Sequence, residues 1–112
     1  MSMKVNLKNA CLVERDKQDG VLTAYFGGYF EDMAVVLDDE PSLDGFYMID
    51  SGDVVYYINP AKVCFVDIDE DGAVIALEGF YLDDEDETVE GALYFDKKDA
   101  GFEKVKGLLD LI

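Results

Sequence analysis

Apolar and β-branched residues come along this chain in short bursts, each bounded by turn-forming residues. The bursts read KVNLKNACLV, VLTAYFGGYF, MAVVL, GFYMI, VVYYI, KVCFVDI, AVIALEGFYL and GALYF. Segments of this length, rich in Val, Ile, Tyr and Phe, are typical of β-strands. The pattern therefore predicts about seven to eight strands, all within residues 3–96.

The connections between these bursts are short and contain turn residues. Four of them are Asp19-Gly20, Ser51-Gly52, Asn59-Pro60 and Asp71-Gly72. Short links favour antiparallel pairing of successive strands. We therefore expect an all-β or α+β fold: an antiparallel β-meander that forms a small barrel or a strongly bent sheet.

The period of the apolar residues changes only in the last stretch, DAGFEKVKGLLDLI (residues 99–112). Its apolar positions form one helical stripe, made of Phe102, Val105, Leu108, Leu109 and Ile112. Asp99 is placed to cap the amino end, and Leu108 and Leu109 are expected to be buried. One amphipathic helix should close the core of a single domain, residues 1–112. This order of elements resembles that of the PH-like barrel, a likeness that implies no shared function.

Acidic residues dominate the middle of the chain. The whole sequence has 26 Asp and Glu against 9 Lys and Arg, a formal net charge of −17, and residues 31–91 contain nineteen acids but one base, Lys62. Seven Tyr and seven Phe argue against disorder, so the pattern indicates a folded domain with a strong acidic field. A merely solvated surface and salt adaptation stay open as alternatives.

Hydropathy and cysteine usage indicate a cytoplasmic protein, in the host cytoplasm if the chain is phage-encoded. No apolar run approaches the roughly 18 residues that span a bilayer. The first residues are charged where a signal peptide is apolar. Cys11 and Cys64 lie in apolar stretches without a CxxC motif or any histidine, which predicts buried, reduced thiols.

Residues 67–78, DIDEDGAVIALE, match the calcium-loop pattern D-x-[DN]-x-[DN]-G-x5-E. An EF-hand needs helices on both sides, and both flanks here have strand composition. In a hairpin, Glu78 would lie about 20 Å along the strand from the turn, too far to complete the coordination. We therefore expect a β-hairpin and no cofactor, with a weak calcium site at Asp67, Asp69 and Asp71 as the alternative.

The chain lacks the residues that most enzymes use. It has no histidine, and its serines and threonines do not occur in a nucleophile motif. No glycine-rich phosphate loop is present, and the carboxylates are too numerous for any pair to indicate acid–base catalysis. We expect a protein that is not an enzyme.

Twelve of the fourteen aromatic residues occur as adjacent pairs. Neighbouring residues of a strand point to opposite faces, so the simplest arrangement puts each Phe in the core and each Tyr outside. Outward tyrosines such as Tyr56 and Tyr57, set among carboxylates, suit a protein interface. The alternative is that the helix or barrel closure covers this face.

In a meander, successive turns alternate between the two ends of the sheet. One end would hold the acids of two loops, Asp38, Asp39, Glu40 and Asp44 with Asp83, Asp84, Glu85, Asp86 and Glu87. The other end would hold Glu31, Asp32, Asp50, Asp53 and the turn at 67–71. The first set, together with Tyr56 and Tyr57, forms the predicted partner-binding residues.

These features predict an acidic inhibitor that occludes the nucleic-acid-binding surface of a basic protein. It resembles anti-CRISPR, anti-restriction and toxin-immunity proteins only in its use of a strongly acidic surface against a basic partner. The acidic field repels phosphate, so no direct binding of nucleic acid is expected, and no membrane partner. The alternatives are a structural or calcium-responsive interaction domain and a salt-adapted β protein with an unknown ligand.

Overall fold

The structure is a computed structural model that describes residues 5–26, 28–29, 34–38, 40–84 and 87–112. At 28–29, 79–84 and 87–92 it describes the backbone alone. In the described part of the chain, two β-sheets and one α-helix pack around a shared apolar core. The predicted architecture, mostly antiparallel β with a carboxy-terminal helix, is thereby confirmed.

Nine strands lie within the described residues, and each overlaps a burst of apolar residues in the sequence. They are β1 (Leu12–Asp16), β2 (Leu22–Tyr25), β3 (Gly28–Tyr29), β4 (Ala34–Leu37), β5 (Tyr47–Asp50), β6 (Val54–Ile58), β7 (Val63–Ile68), β8 (Gly72–Asp84) and β9 (Glu87–Asp96). The first sheet has the order β4-β2-β1-β6-β5 and is antiparallel throughout. In the second sheet, β8 pairs with β7 and β9 antiparallel and with β3 in parallel.

The turns predicted from Gly and Asn are present. Gly20 and Gly52 have positive φ values of 77° and 99°, and they lie in the β1–β2 and β5–β6 turns. Asn59 caps the 3-10 helix Pro60–Lys62 by accepting a hydrogen bond from the Ala61 amide. Its side-chain amide also donates to the carbonyls of Lys8 and Ala10, at 3.1 and 2.8 Å. The buried Asn59 thus ties the amino-terminal segment to the end of β6.

The expected meander is wrong in two places. β3 joins the second sheet, so β4 takes the position beside β2. β1 pairs with β6, which comes much later in the chain, and the connection from β4 therefore passes to the other edge of the sheet. Turn residues specify local hairpins, whereas burial decides which hairpins pair. No closed barrel is found among the described strands, and barrel closure stays a prediction.

The main core lies between the two sheets and the helix. Leu12 and Ile58 of the first sheet, which are register partners, face Ile75 and Phe95 of the second, and all four are fully buried or nearly so. The rings of Phe95 and Tyr56 meet edge-on, with centroids 5.6 Å apart. Phe95 therefore joins the two sheets directly.

A second, smaller cluster covers the opposite face of the first sheet. Val13, next to Leu12 in β1, points to this face together with Leu22 and Ala24. Leu43 and Phe46, from the connection between β4 and β5, pack against these side chains. Both faces of the first sheet therefore have an apolar cover.

The amino-terminal burst forms less strand than predicted. Residues Leu7–Asn9 form a 3-10 helix that Asn6 caps, and the strand begins only at Leu12. The Asn6 side chain accepts a hydrogen bond from the Lys8 amide, a local bond that favours a turn over an extended chain.

The predicted helix is present but shorter, as α1 (Phe102–Leu108). Val105 and Leu108 are fully buried, whereas Leu109 is 46% exposed, so its predicted burial is wrong. Gly101 is the N-cap, and the Asp99 carboxylate instead accepts hydrogen bonds from the Gly101 amide and the Ser51 hydroxyl. Within the described residues, no helix is long and apolar enough to cross a membrane.

Candidate functional site

The register of the first sheet brings several acidic loops to one end. One row across the sheet consists of Leu37, Leu22, Arg15, Val55 and Asp50. The chain beyond Leu37 and the β1–β2 and β5–β6 turns therefore emerge side by side. Their acids form one exposed group, Asp16, Asp19, Asp38, Glu40, Asp50 and Asp53.

Loops of the second sheet lie beside the same end. The Ser51 hydroxyl donates a 2.7 Å hydrogen bond to Asp99, and the Lys97 amide donates a 3.0 Å bond to the Asp71 carbonyl. The β7–β8 turn and the β9–α1 connection are thereby linked to the β5–β6 turn. We call the combined set the acidic end, and its members are Asp16, Asp19, Asp38, Glu40, Asp50, Asp53, Asp69, Glu70, Asp71, Asp96 and Asp99.

Few cations offset this charge. Arg15 pairs with Glu40, and the Lys17 ammonium lies 2.7 Å from a carboxylate oxygen of Asp50. The hydrogen bond from Lys17, with a second from the Gly52 amide, lowers the pKa of Asp50. Exposed pairs of this kind add little stability. Lys97 and Lys98 are the other cationic side chains on these loops, so the field at the acidic end stays negative.

The opposite end of the first sheet has a different charge. Leu12 pairs with Ile58 there, and the segments just beyond them contain Lys8 and Lys62. The hydrogen bond from Asn59 to the Lys8 carbonyl holds these segments together. The exposed Glu78 also lies near this end, because its carbonyl accepts a hydrogen bond from the Cys11 thiol. Charges of both signs therefore occur here, whereas the acidic end is net negative, so an approaching cationic surface is attracted more strongly to the acidic end.

The predicted assignment of the acids to the two ends of the sheet is wrong for the loop that follows β4. Asp38 and Glu40 lie at the same end as Asp50 and Asp53, not opposite to them, because β4 pairs with β2. Asp44 is exposed within the connection that crosses the sheet. Three predicted positions lie outside the described residues, Asp39, Glu85 and Asp86, as do Glu31 and Asp32.

The remaining acids of the predicted site lie on the long hairpin of the second sheet. Asp83 and Asp84 end β8 and Glu87 begins β9, with only their backbones described. β8 starts at Gly72, beside the acidic end, and has 13 residues. At roughly 3.3 Å per residue, its far end lies about 40 Å along the strand from its start. The 83–87 acids are therefore remote from the acidic end.

A cleft opens at the acidic end, on the core side of the first sheet. Its volume is about 180 Å³, and its lining consists of Glu14, Asp16, Asp19, Val21, Thr23 and Val54. Glu14 is half-buried here and accepts a 3.2 Å hydrogen bond from the Tyr25 hydroxyl. Burial raises the pKa of Glu14, and the bond from Tyr25 opposes this rise only in part. The cleft therefore favours cationic over anionic groups.

The raised pKa of Glu14 predicts a pH dependence of stability. The folded state binds this proton more tightly than the unfolded state, so Glu14 stabilises the fold below about pH 4, and this contribution is lost as the pH rises through the raised pKa. Glu14→Gln should therefore unfold at a higher urea concentration than the parent at pH 7, and the difference should disappear in acid. Urea midpoints between pH 3 and 8 measure both effects.

Glu70→Gln is the matched control for Glu14→Gln, because it removes the same charge from an exposed position in a turn. Both substitutions relieve the general repulsion among the acids, whereas only Glu14→Gln also removes the cost of burying a charged carboxylate. Identical midpoints for the two variants at every pH would show that burial does not penalise the Glu14 carboxylate.

The calcium-like segment forms the expected β-hairpin. β7 and β8 flank it, with Asp67 opposite Val74, and the Asp69 amide donates to the Gly72 carbonyl at 2.9 Å. The Asp69 carboxylate accepts hydrogen bonds from the amides of Asp71 and Gly72, so it closes the turn itself. No cluster of three or more potential metal ligands is found in the described part of the chain.

The placement of tyrosines differs from the prediction. Tyr94 and Phe95 match the predicted arrangement, because Tyr94 is 61% exposed and Phe95 is buried. Tyr25 is buried and Tyr56 packs on the main core, so outward placement is wrong for both. Tyr57 packs partly against the second cluster. Both faces of the first sheet are covered at its central strands, and this leaves little room for outward rings there.

The two cysteines also differ from each other. Cys11 is buried and its thiol donates to the Glu78 carbonyl at 3.2 Å, as expected for a structural thiol. Cys64 is exposed, which corrects its predicted burial, and it lies where the β7–β8 register shifts between Val63 and Phe65. Both thiols are free.

One exposed apolar side chain, Phe65, was missed in the sequence, whereas the exposure of its neighbour on the sheet, Tyr94, was predicted. Phe65 and Tyr94 are 53% and 61% exposed on the outer face of the second sheet. The signal was present in β7, where Phe65 and Asp67 alternate with the inward Val66 and Ile68.

The fold and its charge define a small, mostly antiparallel β protein with one acidic end. No protein-family model matches the chain, and comparison with curated proteins and with solved structures gave no match. Geometry and charge are therefore the grounds on which a function can be inferred.

Proposed function

We propose that this protein is an inhibitor that inserts its acidic end into the nucleic-acid-binding surface of a basic protein and excludes the nucleic acid. The observation that supports this most directly is the gathering of separate loops into one acidic end. Duplex DNA presents one phosphate charge per roughly 1.7 Å of axis, so a groove that binds it is densely cationic. A compact acidic surface is complementary to such a groove.

The asymmetry of charge supports an oriented mode of binding. Lys8 and Lys62 lie at the opposite end of the first sheet, where they offset acidic charge, so a cationic groove attracts the acidic end more strongly than the other end. The turns of the acidic end are short and tied by backbone hydrogen bonds, as between Lys17 and Asp53. Short, bonded turns lose little entropy on binding. Such partners act in the cytoplasm, the compartment that also suits two free thiols.

A displacement experiment tests this function. The probes are a panel of purified restriction endonucleases and RNA-guided nucleases, each bound to fluorescently labelled duplex DNA. Excess inhibitor should release the DNA from at least one panel member and should not bind the free duplex, because its field repels phosphate. If no panel member loses its DNA, or if inhibitor and DNA occupy the nuclease together, the proposal is wrong.

Charge variants locate the contact. Asp38→Asn with Asp53→Asn removes two charges from the acidic end, and Glu78→Gln with Asp110→Asn removes two exposed charges elsewhere. We expect the first variant to slow association with the nuclease by roughly 3- to 10-fold at low salt, and the second to have little effect. Stopped-flow association rates against salt measure this. Equal slowing by both variants would mean that net charge alone, not the acidic end, steers binding.

A further inference from the structure

The outer face of the second sheet presents apolar side chains that no described segment covers. Register places Phe65 beside Ala76, and Asp67, Val74 and Tyr94 in the next row across β7, β8 and β9. Phe65 and Tyr94 are more than half exposed, and neither belongs to a core cluster of the described residues. We call Phe65, Val74 and Tyr94 the outer patch.

The ring of Tyr94 is held against the sheet. A Cβ atom at Gly72 would lie 2.8 Å from the Tyr94 hydroxyl oxygen and 3.0 Å from Cζ, so the tip of the ring covers this glycine. Gly72 is buried although Tyr94 is 61% exposed. One side of the ring therefore contacts backbone while the rest meets solvent. An aromatic surface fixed in this way loses little freedom when a ligand stacks on it.

Carboxylates flank this aromatic surface. Asp67 is exposed in the same row as Tyr94, and Asp96, also exposed, is the register partner of Gly72, the glycine that the ring tip covers. Guanidinium groups stack on aromatic faces and pair with carboxylates at the same time, which an ammonium does less well. A second copy of this chain is disfavoured, because each copy has a net charge of −17.

We infer that the outer patch binds arginine side chains of a basic protein partner, with Tyr94 and Phe65 as stacking surfaces and Asp67 and Asp96 as ion-pair acceptors. This inference rests on the proposed function, because it assumes the same cationic partner. It adds to the acidic end a second contact surface that binds by a different chemistry. The acidic end acts through long-range charge, which salt screens, whereas stacking acts at contact. The outer patch thus slows dissociation, and the acidic end speeds association.

The test uses the full chain and two short peptides of equal charge, one with three arginines spaced by glycine and one with three lysines in the same positions. Both are titrated into isotopically labelled protein at 150 mM salt and followed by NMR. The arginine peptide should shift the signals of Phe65, Val74 and Tyr94 and bind more tightly than the lysine peptide. Tyr94→Ala should weaken arginine binding by about two- to fivefold, the factor expected of an exposed cation–π contact.

Tyr94→Phe is the matched control, because it keeps the aromatic ring and should keep the binding. Both substitutions are at an exposed position, so unchanged thermal melting shows that the fold is intact. If the arginine peptide shifts only signals of the acidic end, or if Tyr94→Ala binds as the parent does, the outer patch is not an arginine site. The proposed function would survive that result, whereas failed DNA displacement with intact peptide binding would reject the function and keep the site.

Discussion

Replacing Phe95 by alanine should lower the free energy of unfolding by about 3–5 kcal/mol, the range for deleting a large buried aromatic side chain. Phe95 is 1% exposed, and its ring meets Tyr56 of the other sheet edge-on. The substitution removes this contact and leaves a cavity between the sheets. Small domains are stable by only about 5–15 kcal/mol, so the loss is a large fraction of the total. Urea unfolding followed by far-UV circular dichroism measures it.

Phe95→Leu keeps the variant measurable if the alanine variant fails to fold. It conserves much of the volume, and we expect a smaller loss, of about 1–2 kcal/mol. Tyr94→Ala, at the neighbouring but exposed position, should change stability little. A Phe95→Ala protein as stable as the parent would mean that the two sheets do not share one core.

Leu108→Ala should destabilise the protein by about 2–4 kcal/mol, through lost burial and an unfilled cavity. Leu108 is fully buried at the end of α1 and belongs to the main core, together with Ile49 and Ile58 of the first sheet. Thermal and urea unfolding should both report the loss, because the helix and the sheets share that core.

Leu109→Ala is the control for Leu108→Ala, because the two residues are adjacent and differ in burial. Leu109 is 46% exposed and lies just after the helix, so its truncation should cost well under half as much. Equal costs at the two positions would show that the helix continues past Leu108 and buries both. Neutral effects at both would show that α1 does not close the core.

Local elements of this fold were predictable, and the pairing of distant strands was not. Gly20 and Gly52 mark real turns, and the hairpin after Asp67 was recognisable despite its calcium-loop pattern, since both flanks have strand composition. The pairing of β1 with β6 has no local signal, because it depends on which apolar faces are buried together. The helix was predicted too long because Leu109 and Ile112 continue its apolar stripe, although both are about half exposed and belong to neither core cluster.

The candidate site was predictable in composition and not in position. Acid-rich loops were evident in the sequence, but assigning Asp38 and Asp50 to ends of the sheet required the true strand order. The alternation of side chains along a strand places Tyr56 and Tyr57 on opposite faces of the sheet. It does not show that other side chains cover each of them. Phe65 was overlooked because it has no aromatic neighbour in the sequence, although its alternation with Val66 already indicated an outward position.

The central position of β1 affects how the chain assembles. Its first partner, β2, follows after a short turn, whereas β6 comes only after β3, β4 and β5 have been made. Contacts between distant parts of a chain form slowly, so one edge of β1 remains unpaired for a time. An unpaired edge invites association with other chains. The net charge of −17 opposes that association, so the acids also protect the half-folded protein from aggregation.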